Sequence, residues 1–206
     1  THKLKKIKPK DSLKHPKWKM GKKISVDSST LMNKILEISE AQKLFDLPEN
    51  KLDILIHPES LIHAIIYFKN GLIKFIYHDT SMIIPISNAI FETNLDISTI
   101  YKNKKNSKVL NDLSFKKVNI KKFPIIKLKK KINEYTSSPI IFNAANEILV
   151  DLFLKKKLSF LGISKTIMSI QKDRYYKKYA IRDPKNIKQI IEIDKWARKR
   201  ILEKIN

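Results

Sequence analysis

The sequence predicts an α+β domain, a mixed sheet with helices, followed by a connecting arm and an all-α C-terminal helical bundle. Three observations point there. Strand-like apolar runs gather between Lys23 and Tyr77, a polar Asn- and Lys-rich stretch occupies Glu92 to Lys122, and helical periodicity persists from Phe123 to the C-terminus. The domain limits implied are residues 1–91, 92–122 and 123–206.

After a basic lead-in, KISV (Lys23 to Val26) reads as a short strand, and Asp27-Ser28-Ser29-Thr30 supplies N-cap chemistry for a helix whose apolar residues Leu31, Ile35, Ile38 and Phe45 recur at near-helical spacing. LDILIH (Leu52 to His57) reads as a buried strand closed by Pro58. LIHAIIYF (Leu61 to Phe68) and LIKFIY (Leu72 to Tyr77) flank Lys69-Asn70-Gly71, and Asn-Gly between such runs predicts an antiparallel hairpin. A helix is expected from about Met82 to Phe91, with Pro85 near its first turn. The arm holds one expected strand, around Leu110 to Val118. Beyond it, Pro124 to Glu134, Pro139 to Lys156, Ser159 to Lys172 and Pro184 to Ile205 read as helices joined by short connections, which implies a bundle.

Composition narrows the function. The 206 residues are 42% hydrophobic and 31% charged, enough apolar content for a core. With no cysteine, disulfides and thiolate metal sites are excluded. No apolar run approaches the length that spans a bilayer, and the opening THKLKKIKPK has no signal-peptide pattern, so a cytoplasmic protein with no membrane partner is expected. A formal charge of +23 raises nucleic acid as a partner, but the lysines are scattered through every element, and abundant Lys and Ile fit an AT-rich genome, so no nucleic-acid partner is expected. Only Gly21, Gly71 and Gly162 occur, far apart, so neither a dinucleotide-binding glycine loop nor a P-loop is present.

One stretch could carry chemistry: HPKWKMGKKISVDSSTLMNKILE, His15 to Glu37. Ser28, Ser29 and Thr30 at a helix start would offer hydroxyls and free amides to an anion. Asn33 and Glu37, four apart, share a face with Lys34 beside them, a set suited to phosphate oxygens and, at Glu37, to a divalent cation. An ordinary capped amphipathic helix accounts for the same residues. Trp18 and Met20 are large apolar side chains in a polar segment, which either pack on the neighbouring sheet or close over a ligand. Gly21 permits close backbone approach, and His15 either meets a phosphate or caps a turn.

That stretch closely resembles the segment H-P-x-W-x-M-G-x-K-I-x-x-D-S-[AS]-T-[LM]-M-N-K-x-x-E of 1-deoxy-D-xylulose 5-phosphate reductoisomerase. The resemblance continues through ILIHPESLIHAIIYF, Ser81-Met82-x-x-Pro85-Ile86, LSFKKVNIKKFPIIKL and FNAANEILVDLFL, in order over essentially the whole chain. It implies an oxidoreductase of the non-mevalonate isoprenoid route that rearranges 1-deoxy-D-xylulose 5-phosphate and reduces it with NADPH to 2-C-methyl-D-erythritol 4-phosphate, using Mn²⁺ or Mg²⁺ (Co²⁺ is also admissible), as a homodimer. Residues 1–91 would be the catalytic and connective domain, with a flap at about residues 15–22. By resemblance, His15, Ser28, Asn33, Lys34 and Glu37 bind substrate, Glu37 ligates the metal, Gly21 contacts NADPH, Trp18 and Met20 belong to the flap, and His63 and Met82 line the pocket. His57 falls in the same patch and is read as structural. The family's N-terminal NADPH domain has no counterpart here, nor do two further acidic ligands and a substrate-binding Ser. A chain limited to this part is expected to be inactive alone. The other reading is a stand-alone basic module that binds phosphate or nucleic acid.

Overall fold

A computed structural model describes residues 4, 6–13, 20–91, 96–101 and 113–205. The chain is mainly helical with small antiparallel sheets. Besides a single helical turn at Pro9–Ser12, the helices are α1 (Lys22–Thr30), α2 (Met32–Phe45), α3 (Ile83–Phe91), α4 (Ser138–Leu154), α5 (Phe160–Ser169), α6 (Tyr176–Ala180) and α7 (Ile187–Ile205). The strands are β1 (Leu55–Ile56), β2 (Ile62–Tyr67), β3 (Ile73–Tyr77) and β4 (Lys116–Lys117). Among the described residues, no helix is long and apolar enough to cross a membrane.

The described residues fall into two compact units. One gathers residues 4, 6–13, 20–54 and 119–205; the other lies within residues 55–118. A division by chain order at residues 91 and 122 therefore separates stretches that packing joins. The reason lies in α1 and α2, whose buried residues Val26, Met32 and Ile35 are 0% exposed and which pack on α4 and on the 3₁₀ stretch Pro124–Lys130.

In this first unit α4 is the hub. Ile141, Phe142, Ala144, Ala145, Leu149, Val150 and Phe153 are buried on it, against Ile193, Ala197 and Ile201 of α7 and Phe160, Ile163 and Ile167 of α5. Each large apolar side chain removed from water contributes roughly 1.5–3 kcal/mol, so this helix anchors the unit. Pro139 sits in its first turn, where a missing N–H costs nothing. Ser137 ties that start to the chain near α6, donating its amide to the Ala180 carbonyl at 2.9 Å and its hydroxyl to the Arg182 carbonyl at 2.7 Å. The expected helix from Pro124 is a 3₁₀ stretch ending at Lys130, and α6 is a helix the periodicity did not announce.

The second unit holds the expected hairpin, β2 paired antiparallel with β3. Its turn differs from a two-residue Asn-Gly turn. The Gly71 amide donates to the Phe68 carbonyl at 3.1 Å and the Phe68 amide to the Leu72 carbonyl at 2.9 Å. Lys69 and Asn70 thus form the turn centre, and Gly71, at φ +86°, takes the left-handed position that closes a three-residue loop. A second ladder pairs Leu55 with Lys117 and Ile56 with Lys116, so the strands expected at Leu52–His57 and Leu110–Val118 shrink to two residues each; residues 110–112 lie outside the described part.

Candidate functional site

KISV is helical, not extended. Lys22–Thr30 forms α1 because its back-bonding hydroxyls and its buried face serve a helix. Ser25 Oγ donates to the Gly21 carbonyl at 2.9 Å, and Val26 is fully buried. The β-propensity of Ile24-Ser25-Val26 yields to that packing. Ser28, Ser29 and Thr30 consequently end α1, only Thr30 among them also accepting an amide of α2, and the N-cap of α2 is Leu31, beyond the whole Asp27–Thr30 run.

The break between the helices is Leu31, in the left-handed region at φ 68° and ψ 16°. Its amide donates to the Ser28 carbonyl at 3.2 Å, and the Met32 amide donates to Thr30 Oγ1 at 3.3 Å. The Asn33 and Lys34 amides are thus left among the unpaired donors of a helix start. Three hydroxyls are spent locally: Ser25 on Gly21, Ser29 on the Val26 carbonyl at 2.8 Å and Thr30 on the Asp27 carbonyl at 3.2 Å. Ser28 Oγ, half-buried, has no partner among the described residues.

One helical face then brings together Asn33, Lys34 and Glu37. Lys34 Nζ donates to both Glu37 oxygens, at 3.0 and 2.7 Å, and Asn33 Nδ2 donates to Glu37 Oε1 at 3.3 Å. Asn33 Oδ1 is buried and has no partner among the described residues, an acceptor held ready for a donor from outside. Around the α1–α2 junction the chain thus carries an unspent hydroxyl at Ser28, unpaired amides at Asn33 and Lys34, the Lys34 ammonium and the orphan Asn33 Oδ1, the residue types that bind an oxyanion. As a metal centre it is incomplete: among the described residues, no three His, Asp or Glu side chains converge to hold an ion, and both oxygens of Glu37 already face Lys34.

Gly21 is the exposed N-cap of α1, and a Cβ there would meet nothing within 4 Å, so the chain is open on that side. Met20 is half-buried beside it. His15 and Trp18 lie outside the described residues. His63 and Met82 belong to the second unit, which is described by itself. There His63 stacks on His78 with ring centroids 3.7 Å apart, and its Nε2 lies 3.1 Å from the His78 carbonyl. Met82 is 56% exposed at the start of α3. In the same unit His57 Nδ1 lies 2.9 Å from both the Ser114 carbonyl and Glu59 Oε2. The Ser114 hydroxyl, with the Glu59 and Ser114 amides, holds the Glu59 carboxyl below its ordinary value.

Sequence reasoning missed Asp27 and Asn146 as partners. Asp27 is 2% and Asn146 0% exposed, and Asn146 Nδ2 donates to Asp27 Oδ1 at 2.8 Å. The signal that could have found Asp27 is its spacing of four from Lys23, whose Nζ donates to Oδ2 at 2.9 Å and which suits a helix, not a cap.

Comparison with known proteins decides the family. A family model described as the DXP reductoisomerase C-terminal domain matches residues 79–200, more than half of the chain. The chain belongs to the DXP reductoisomerase family. A second model, the 1-deoxy-D-xylulose 5-phosphate reductoisomerase C-terminal domain, matches residues 1–45 and so covers α1 and α2. The reductoisomerase of Pelagibacter ubique is 44% identical over 196 residues, 95% of this chain and 50% of that protein. Reductoisomerase 1 of Bacillus thuringiensis subsp. konkukian is 38% identical over 197 residues, 95% of this chain and 49% of that protein. The chain thus spans about half the length of the curated reductoisomerases it matches. Among solved structures, the Zymomonas mobilis reductoisomerase in complex with NADPH superposes with a TM-score of 0.80 at 30% identity, over 100% of this chain and 51% of that one. A reductoisomerase in complex with NADPH, fosmidomycin and magnesium gives 0.85 at 30% identity, over 99% of this chain and 51% of that one.

Proposed function

We propose that this chain forms the substrate-phosphate-gripping part of a reductoisomerase that converts 1-deoxy-D-xylulose 5-phosphate to 2-C-methyl-D-erythritol 4-phosphate with NADPH and Mg²⁺ or Mn²⁺. The observation that carries this is the α1–α2 junction, where an unspent Ser28 hydroxyl near the end of α1 is followed within one turn by a helix start that carries the free Asn33 and Lys34 amides, the Lys34 ammonium and the unpaired Asn33 Oδ1. Relatives twice as long, two of them solved with NADPH, support the rest of the reading. The alternative of a nucleic-acid module has no such observation behind it.

In this reading Ser28 Oγ and the helix-start amides donate to phosphate oxygens while Lys34 balances their charge. Asn33 Oδ1 accepts from a substrate hydroxyl. His15 joins the phosphate site, His63 and Met82 line the pocket, and Gly21 lets NADPH approach the backbone. Trp18 and Met20 close a flap that keeps water from the reacting carbons. Glu37 would give one carboxylate to the metal, which would polarise the substrate's hydroxy-ketone oxygens; the remaining ligands and the NADPH site belong to the half of the longer relatives that these 206 residues do not match. The working form is a cytoplasmic homodimer with no nucleic-acid or membrane partner, arranged along the sequence as a catalytic and connective part, an arm and a helical bundle, with α1 and α2 packed on the bundle, and the chain alone is inactive.

Grip on a remote phosphate positions the reacting carbons, so losing it lowers turnover as well as affinity. The test joins the chain, in frame, behind the first half of the Pelagibacter ubique relative. NADPH oxidation that requires both 1-deoxy-D-xylulose 5-phosphate and Mg²⁺ is expected, and Glu37→Gln should lower it by at least about a hundredfold. A folded chimera that never turns over would sink the proposal.

A further inference from the structure

Asp27 and Asn146 form a buried polar contact between α1 and α4, bridging 119 residues of chain, and the partly exposed Lys23 donates to the other oxygen of Asp27. Beyond Asp27 the bonds continue: its carbonyl accepts from Thr30 Oγ1 at 3.2 Å, and Thr30 Oγ1 accepts the Met32 amide at 3.3 Å. A continuous path therefore runs from α4 to the first turn of α2. The path is costly to maintain, because Asn146 Oδ1 is buried with no partner among the described residues. A buried carboxylate and amide are commonly no more stable than an apolar pair of the same volume, so stability alone is a weak reason for them.

We propose that Asn146 is a positioning residue for the α1–α2 junction: it pins Asp27 and, through Thr30, fixes the first turn of α2 and with it the direction of Asn33 and Lys34. The consequence for binding rests on the phosphate reading given above. The pin itself stands on the hydrogen bonds.

The 206-residue chain holds every residue of this path, so it is tested directly, by titration with inorganic phosphate and by hydrogen exchange of the Met32 amide. Asn146→Leu should speed Met32 exchange and weaken phosphate, each by about tenfold. The reciprocal pair, Asp27→Asn with Asn146→Asp, keeps a donor facing an acceptor and should restore both. A folded Asn146→Leu chain with unchanged Met32 exchange overturns the pin, and so does unchanged phosphate affinity where the wild type binds. If the wild type binds no phosphate, the phosphate reading fails, and faster Met32 exchange still upholds the pin. Should Asn146→Leu fail to fold, Asn146→Ser, with its shorter donor, is measured the same two ways.

Discussion

Ser28 and Ser29 are neighbours with the same side chain and different prospects. The hydroxyl of Ser29 is spent on the Val26 carbonyl, while that of Ser28 is free among the described residues. Ser28→Ala should weaken inorganic phosphate binding to the chain by about tenfold, whereas Ser29→Ala should change it less than twofold or so. Equal losses in calorimetric titration would show that the junction, not a particular hydroxyl, makes the site. Leu31 tests that junction separately. A leucine at φ 68° is strained, and a β-branched residue there is strained further. Leu31→Val should therefore cost about 1–2 kcal/mol in urea unfolding, while Leu31→Asn is tolerated. A tolerated valine would mean that the backbone relaxes out of the left-handed region. The sequence made Ser28, Asn33, Lys34 and Glu37 legible through residue type and spacing. It could not distribute the hydroxyls, because that depends on where α1 ends, and Leu31 carries none of the Gly or Asn signals that mark such an end.

Elements were legible where a period was long and uninterrupted. The expected helices from Pro139 and Pro184 appear as α4 and α7, each within a few residues of its limits, because an apolar stripe facing a bundle fixes both. α1 was misread, since three residues of β-prone sequence cannot outweigh a buried face that includes a carboxylate. α7 also shows how a charged contact holds an element in place. Arg200 donates from Nε at 3.0 Å and from one terminal nitrogen at 2.7 Å to Asp173 Oδ2. Burial pushes the Asp173 carboxyl up, but the Tyr175 amide and the Arg200 guanidinium outweigh it and hold the group below its ordinary value. A depressed carboxylate stabilises the fold above its unfolded value, and that contribution disappears as pH falls through the folded one. Arg200→Met should accordingly lower stability at neutral pH, with the gap to wild type closing as pH drops below the usual carboxylate range. A gap independent of pH in urea unfolding would assign the loss to packing of the arginine stem instead.

At the scale of the whole molecule, apolar side chains remain on the surface of the second unit. Tyr67 is 71%, Leu72 65%, Ile73 51% and Ile90 66% exposed. That is the kind of surface a soluble chain covers with a partner, and it supports the proposed homodimer. Tyr67 and Ile73 face each other across the hairpin, so Tyr67→Glu with Ile73→Lys keeps a favourable cross-strand pair while removing the apolar surface. Sedimentation should show a concentration-dependent dimer for the wild type and monomer for the variant; identical profiles would place the contact elsewhere. The two-unit division was the least legible feature, because nothing local tells that α1 and α2 will pack with helices from residue 124 onward. The short ladder between β1 and β4 has a consequence for that division. Leu55 lies opposite Lys117, so the segment between them leaves and returns through neighbouring positions, like the loop of a keyhole. Residues 55–118 therefore behave topologically as a cassette. They could be excised and the cut closed by a turn of a few residues, and the helical unit would then be free to fold without waiting for a long loop to find its other end.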